Sequence, residues 1–169
     1  MKYKIDDIIL YGTDGVCRIT DVTERKIGND TFKYLMLVPV YNEGSTILVP
    51  LANESLLNKM HILPSKIEFM DMIERVRSSE AQWIDNDIKR KEEFHQILDN
   101  GDVYSLICLL KAIYKHQCER IAAGKKLHVV DERIMKDAEK VICDEASYSL
   151  GISRDGALSY IRDILGYGI

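Results

Sequence analysis

The chain has 169 residues, 46% hydrophobic and 30% charged, a balance that suits one ordinary domain or two small ones and excludes wholesale disorder. A net charge of −4 excludes strong non-specific nucleic-acid binding, which rests on neutralising phosphates with Lys and Arg, so any such contact is local or assisted by a partner. No apolar run approaches the roughly 20 residues that span a bilayer, and acids interrupt the N-terminal stretch "MKYKIDDIIL", so neither a membrane contact nor an export signal is expected and the protein reads as cytoplasmic.

The first half reads as β. "DDIILYG" is followed by the turn "TDG", then "VCRITDVTERKI", the turn "GND", "FKYLMLVPV", the turn "NEG" and "STILVP". Several short strands joined by tight turns predict a small, strongly bent barrel over residues 1–60. Pro39 inside a strand-like run predicts an edge or a bulge.

The second half, residues 61–169, reads as a bundle of about five helices, which makes the fold α+β. "SKIE" and "SEAQ" have capping-box spacing, and predict helix starts at Ser65 and Ser79. The first helix carries Ile67, Met70 and Ile73, and the second runs from about 80 to 100. Asp102 caps a third helix whose apolar face is Leu106, Ile107, Leu110, Ile113 and Tyr114, with Gly124 at its end. A fourth helix from about Asp131 to Leu150 turns Ile134, Ala138, Val141, Ile142 and Ala146 inward. A short fifth helix carries Leu158, Ile161 and Leu165.

Catalytic and metal chemistry find no foothold. "AAGKK" lacks the first glycine of a phosphate loop, because Glu119 stands there, and has Lys126 where Ser or Thr is needed. "DNDIK" puts Lys89 at a calcium-ligand position. His116 and Cys118 diverge on a helix. The four cysteines, Cys17, Cys108, Cys118 and Cys143, form no metal-binding pair and read as reduced, mostly buried thiols. The expectation is a protein that is not an enzyme and uses no cofactor.

Read together, the two halves resemble the CarD-like family of bacterial transcription regulators. "YGTDGVCRITDV" resembles that family's opening hairpin, "KYLML" and "ILVP" its third and fourth strands, and a lone Trp followed by "GD", a long apolar helix, "ERIAAGKKL" and "DERIMKDAEKVICDEASYSLG" its helical half. The resemblance implies a Tudor-like or SH3-like barrel that docks on the β subunit of RNA polymerase, a module also present in transcription-repair coupling factor. It implies a helical domain beside promoter DNA that stabilises the open complex, in a protein that acts as a monomer. Arg25, Ile47 and Leu48 are the polymerase-contacting residues it implies. Trp83, with Lys89, Arg90 and Lys91, is the DNA-contacting set. The chain departs from the family's pattern: Tyr11-Gly12 replaces Tyr-Pro, Leu48 replaces a basic residue, the Trp stands further ahead of "GD", and Ile84, Asp85, Asn86 and Asp87 follow the Trp where arginines are common.

Two readings of Trp83 stand side by side. A flat ring beside cations can enter an opened base step. A Trp on the stripe Trp83, Asp87, Arg90 and Phe94 of a helix can equally be a core anchor. The basic cluster, and a second strip of Lys111, Lys115, Arg120, Lys125 and Lys126, are either phosphate contacts or solvated helix faces. The alternative function is an adaptor that binds polymerase or another protein without touching DNA.

Overall fold

The computed structural model describes residues 3–168. Residues 1–2 and 169, at the outer ends of the two expected units, lie outside the described residues. The first half is one antiparallel sheet of β1 (Ile8–Tyr11), β2 (Gly15–Ile27), β3 (Asp30–Pro39), β4 (Ile47–Pro50) and β5 (Met60–Ile62), in the order β4-β3-β2-β1-β5. Every strand supplies side chains to one apolar core that includes Ile9, Cys17, Ile19, Leu35, Leu37, Val49 and Met60, so the sheet curls around its contents. A register shift between Ile19 and Asp21 marks the bulge that lets the long second strand bend. Pro39 pairs with Cys17 on one side, and β4 reaches only as far as Leu37 on the other, so the proline sits where no ladder bond is needed. Beyond β1 and β4, the outer parts of β2 and β3 continue as a two-stranded ribbon to the turn at Gly28.

Between sheet and bundle, Asn53 caps a single turn, α1 (Glu54–Leu57), which leads into β5. Neither element has a sequence signature beyond the polar stretch around it. The five helices that follow are α2 (Lys66–Ser78), α3 (Asp87–Asn100), α4 (Val103–Ala122), α5 (Val129–Leu150) and α6 (Arg154–Leu165). The capping box of Ser65 and Glu68 forms as its spacing predicts, and Asp102 and Ser153 cap α4 and α6 through side-chain oxygens. The expected inward faces of α4 and α5 are buried throughout.

Two helix expectations are corrected. The box expected at Ser79 does not form: Ser79 ends α2, its hydroxyl donates to the Val76 carbonyl, and α3 starts at Asp87, capped by Asn86. The intervening polar residues have no apolar repeat to commit them to a helix. In α2 the buried face is Phe69, Ile73 and Val76, while Ile67 is 81% exposed and Met70 is 43% exposed. The helix is rotated so that its one aromatic ring takes the core position.

The β1–β2 corner is pressed into the bundle. Leu10 and Val16 belong to the helical core rather than the sheet core. Gly12 is buried with φ 46°, and Gly101, at the turn between α3 and α4, has φ 69°. A Cβ on Gly101 would start 3.1 Å from the Gly12 Cα, so the two glycine backbones meet closely and the crowded side is Gly101, while the positive φ at both favours glycine. Proline, fixed near φ −65°, cannot replace Gly12, which accounts physically for the Tyr-Gly at this corner. The contact is framed by the Lys59–Asp99 ion pair at 2.9 Å and by a hydrogen bond between His61 Nε2 and the Asn100 carbonyl at 2.5 Å.

Candidate functional site

Two surfaces carry the residues singled out from the sequence. The first is the outer face of the sheet. Leu35, Leu37 and Val49 point inward, and strand alternation turns Tyr34, Met36, Val38 and Leu48 outward. Leu48 lies directly across from Met36, and Phe32, 39% exposed, lies across from Arg25. Arg18 is opposite Val38 at the other end. The result is an apolar strip with an exposed arginine at each end, beside β4, which is an edge of the sheet. Arg25 and Leu48 therefore share one surface. Ile47 does not: it is paired with the buried Leu37 and packs, half-buried, on the sheet core.

The second surface is the segment from Ser79 to Asn86, which carries Trp83. Among the described residues, no backbone–backbone hydrogen bond involves residues 80–85. Buried cations from the bundle hold the segment at both ends instead. Lys111 donates to the carbonyls of Val76, Arg77 and Ser79 at 2.8, 2.7 and 2.5 Å, replacing the backbone donors missing at the end of α2. Arg90, on α3, donates through Nη1 to the Ile84 carbonyl at 2.9 Å. Its Nε and Nη2 form a two-pronged pair with Asp131 of α5, both bonds 3.1 Å long. Arg90 and Asp131 are 2% and 0% exposed. Burial works against the guanidinium charge, and the hydrogen bonds it donates to Asp131 and Asp87 more than offset that, raising the Arg90 pKa above its ordinary value. Hydrogen bonding to Arg90 in turn lowers the Asp87 carboxyl.

Trp83 is half-buried against the helical core. Its ring stacks on the His116 imidazole, with centroids 3.8 Å apart and planes 11° apart, and meets Phe94 edge-on at 5.9 Å. The Arg90 guanidinium carbon lies 4.5 Å from the ring centroid. Burial lowers the His116 pKa, so the stacked imidazole is neutral at pH 7. Neither simple reading of Trp83 matches this arrangement. The ring is not helical and does not stand free, yet it is at the margin of the core rather than within it.

The basic set divides in the same way. Lys89 is exposed and lies 3.7 Å from Glu93, and Lys91 is half-buried. Arg90 is withdrawn from any phosphate, because its donors are spent on Asp131 and the segment's carbonyls. That corrects its expected DNA contact. Lys111 is likewise removed from the second strip, and the Arg120 Nε is bound to the Lys126 carbonyl at 2.8 Å. Sequence reasoning missed His116, Asp131 and the holding role of Lys111. Asp131 is 41 positions from Arg90 in the chain, beyond any local signal.

Among the described residues, no cluster of His, Cys, Asp or Glu could hold a metal ion, and no helix is long and apolar enough to cross a membrane. No curated protein matches the chain. Residues 3–61 match the family model described as the CarD-like/TRCF RID domain, a stretch that begins before β1 and ends within β5. That class is a protein-interaction domain whose partner is RNA polymerase in transcription regulation. The curled sheet with its apolar outer strip thus matches the CarD-like/TRCF RID domain over residues 3–61, in line with the family resemblance of the sequence.

Proposed function

We propose that the protein is a bacterial transcription regulator that docks on the RNA polymerase β subunit through residues 1–60 and stabilises the promoter open complex through residues 61–169. The observation that carries the reading is the RID match lying on a sheet whose outer face is an arginine-flanked apolar strip at an edge strand. An edge strand recruits a partner strand through backbone hydrogen bonds, and the side chains beside it set specificity. Leu48 and Arg25 are the contacts on this face, and the β4 backbone at Ile47 contributes through its edge. At the far surface, the outer rim of Trp83 with Lys89 and Lys91 lies against DNA. Polymerase docking raises the local concentration enough for an acidic, monomeric protein to act there.

The test is capture of purified polymerase by the full-length chain. Leu48→Asp places a charge in the strip and is expected to abolish capture while leaving the circular dichroism spectrum unchanged. Asn29→Asp, in the β2–β3 turn, is expected to retain it. Equal capture by the two variants would sink the docking surface.

A second reading is an adaptor that binds polymerase and never touches DNA. The net charge of −4 and the packing of the Trp83 ring against His116 favour it. Promoter binding that weakens with salt, measured on the polymerase complex, separates the two: the regulator has that dependence and the adaptor adds none.

A further inference from the structure

We propose that Arg90 is a positioning residue: anchored by Asp131, it fixes the segment of residues 80–86 so that Trp83 is presented at one place and angle. The inference rests on the reading that Trp83 works against DNA. The segment is irregular and makes no backbone ladder of its own. An irregular stretch of that kind is held only by what reaches it from outside. Lys111 fixes the residue just before it through the Ser79 carbonyl, and Arg90 fixes its second half through Ile84 and, at 3.5 Å, Asp85. Trp83 lies between those two anchors. The same guanidinium touches the ring at 4.5 Å, so one side chain sets both the backbone and the indole.

Asp131 gives this arrangement its direction. An Arg on a surface turn samples many rotamers, but one locked by two parallel bonds to a fully buried carboxylate presents its third nitrogen along a fixed line. The free fork aims at the Ile84 carbonyl. His116 supplies the opposing element from α4, a flat neutral ring against which the indole lies parallel. Arg90 from α3, itself held by Asp131 of α5, and His116 from α4 thus meet at one aromatic ring. A plain core tryptophan requires no such polar apparatus, and a freely mobile one would not be held by it.

Trp83 is the only tryptophan, so its fluorescence reports the clamp directly. The experiment compares wild type, Arg90→Lys, the double replacement Arg90→Met with Asp131→Leu, and Trp83→Ala. The double replacement fills the buried site with apolar groups and so preserves the fold while removing every donor. Arg90→Lys keeps the charge and loses the fork. Wild type and the two folded Arg90 variants are examined for emission maximum and acrylamide quenching, and all four proteins for their effect on open-complex lifetime with polymerase. The expected result is a red-shifted, more quenchable Trp83 in both Arg90 variants. The double replacement should shorten the open-complex lifetime to that of Trp83→Ala, with Arg90→Lys between it and wild type. Unchanged emission and quenching in the double replacement would overturn the clamp. If Trp83→Ala leaves the lifetime at its wild-type value, the DNA reading fails instead, and the fluorescence still decides the clamp on its own.

Discussion

Glu145 lies wholly inside the bundle with neither carboxyl oxygen paired. Burial pushes its pKa up to about 8, and the nearby charge of Asp102 adds to the rise. At pH 7 the native protein therefore holds it as a neutral acid, whereas the unfolded chain has released that proton above its ordinary value of 4.5. Between those two values the native state binds one proton more than the unfolded state, so stability falls as pH rises. The slope is about 1.4 kcal/mol per pH unit. Across the interval the loss adds to roughly 5 kcal/mol, an order-of-magnitude figure that levels off above the native pKa. Glu145→Gln has no proton to lose and retains the size and polarity of the neutral acid. Wild type and variant should thus have nearly the same melting temperature at pH 4.5 and separate steadily up to pH 8, the variant being the more stable. At about 2–4 °C per kcal/mol for a chain of this length, the separation is well within calorimetric reach. The difference between the two curves is the quantity to read, because every other titrating group is common to both. Parallel curves from pH 4.5 to 8 would refute the reasoning and show that Glu145 is ionised in the native state.

Gly101→Ala places a Cβ 3.1 Å from the Gly12 Cα at a backbone φ of 69°, and should destabilise the chain by about 1–3 kcal/mol in urea unfolding. Its Gly124→Ala counterpart, at the same φ of 69° but with open space around it, should cost less, which separates the crowding from the backbone strain. For His116 the sign is set by its lowered pKa. The groups acting on it are Glu119 and Arg120 of α4, Arg90 of α3 and Asp131 of α5. Trp83 emission should stay flat from pH 8 to the ordinary imidazole pKa of 6.5, and be quenched only below it as a charged ring forms against the indole. A titration centred above pH 6.5, or its persistence in His116→Gln, would count against the stack.

Periodicity and capping chemistry made much of the fold legible. Ser65 with Glu68, and Asp102 ahead of its apolar run, mark helix starts because the caps are local and depend on few residues. The inward faces of α4 and α5 follow from spacing alone. Ile67 and Met70 misled because short amphipathic helices with scattered apolar residues admit two faces, and Phe69 decided between them only through tertiary packing. The site was less legible. Leu48 and Arg25 could be placed on one outer face once strand alternation was known, but Ile47 needed its pairing with Leu37 to be assigned inward. Arg90 read as one of three adjacent cations. Its burial depends on Asp131, and nothing within a helical turn of either residue announces the other.

The meeting of Gly12 and Gly101 has a mechanical consequence. Modules joined by a flexible tether search a volume set by tether length, and each can be repositioned without disturbing the other. Here β5 passes to α2 through three residues, and the β1–β2 corner is seated in the bundle. Such a seat ties the sheet to the bundle more closely than a tether would. A tilt of the sheet is therefore passed to the helices at this corner and is not absorbed by the linker. An inserted residue at the glycine contact would therefore disturb the seating of sheet on bundle more severely than one in an exposed turn such as Gly28.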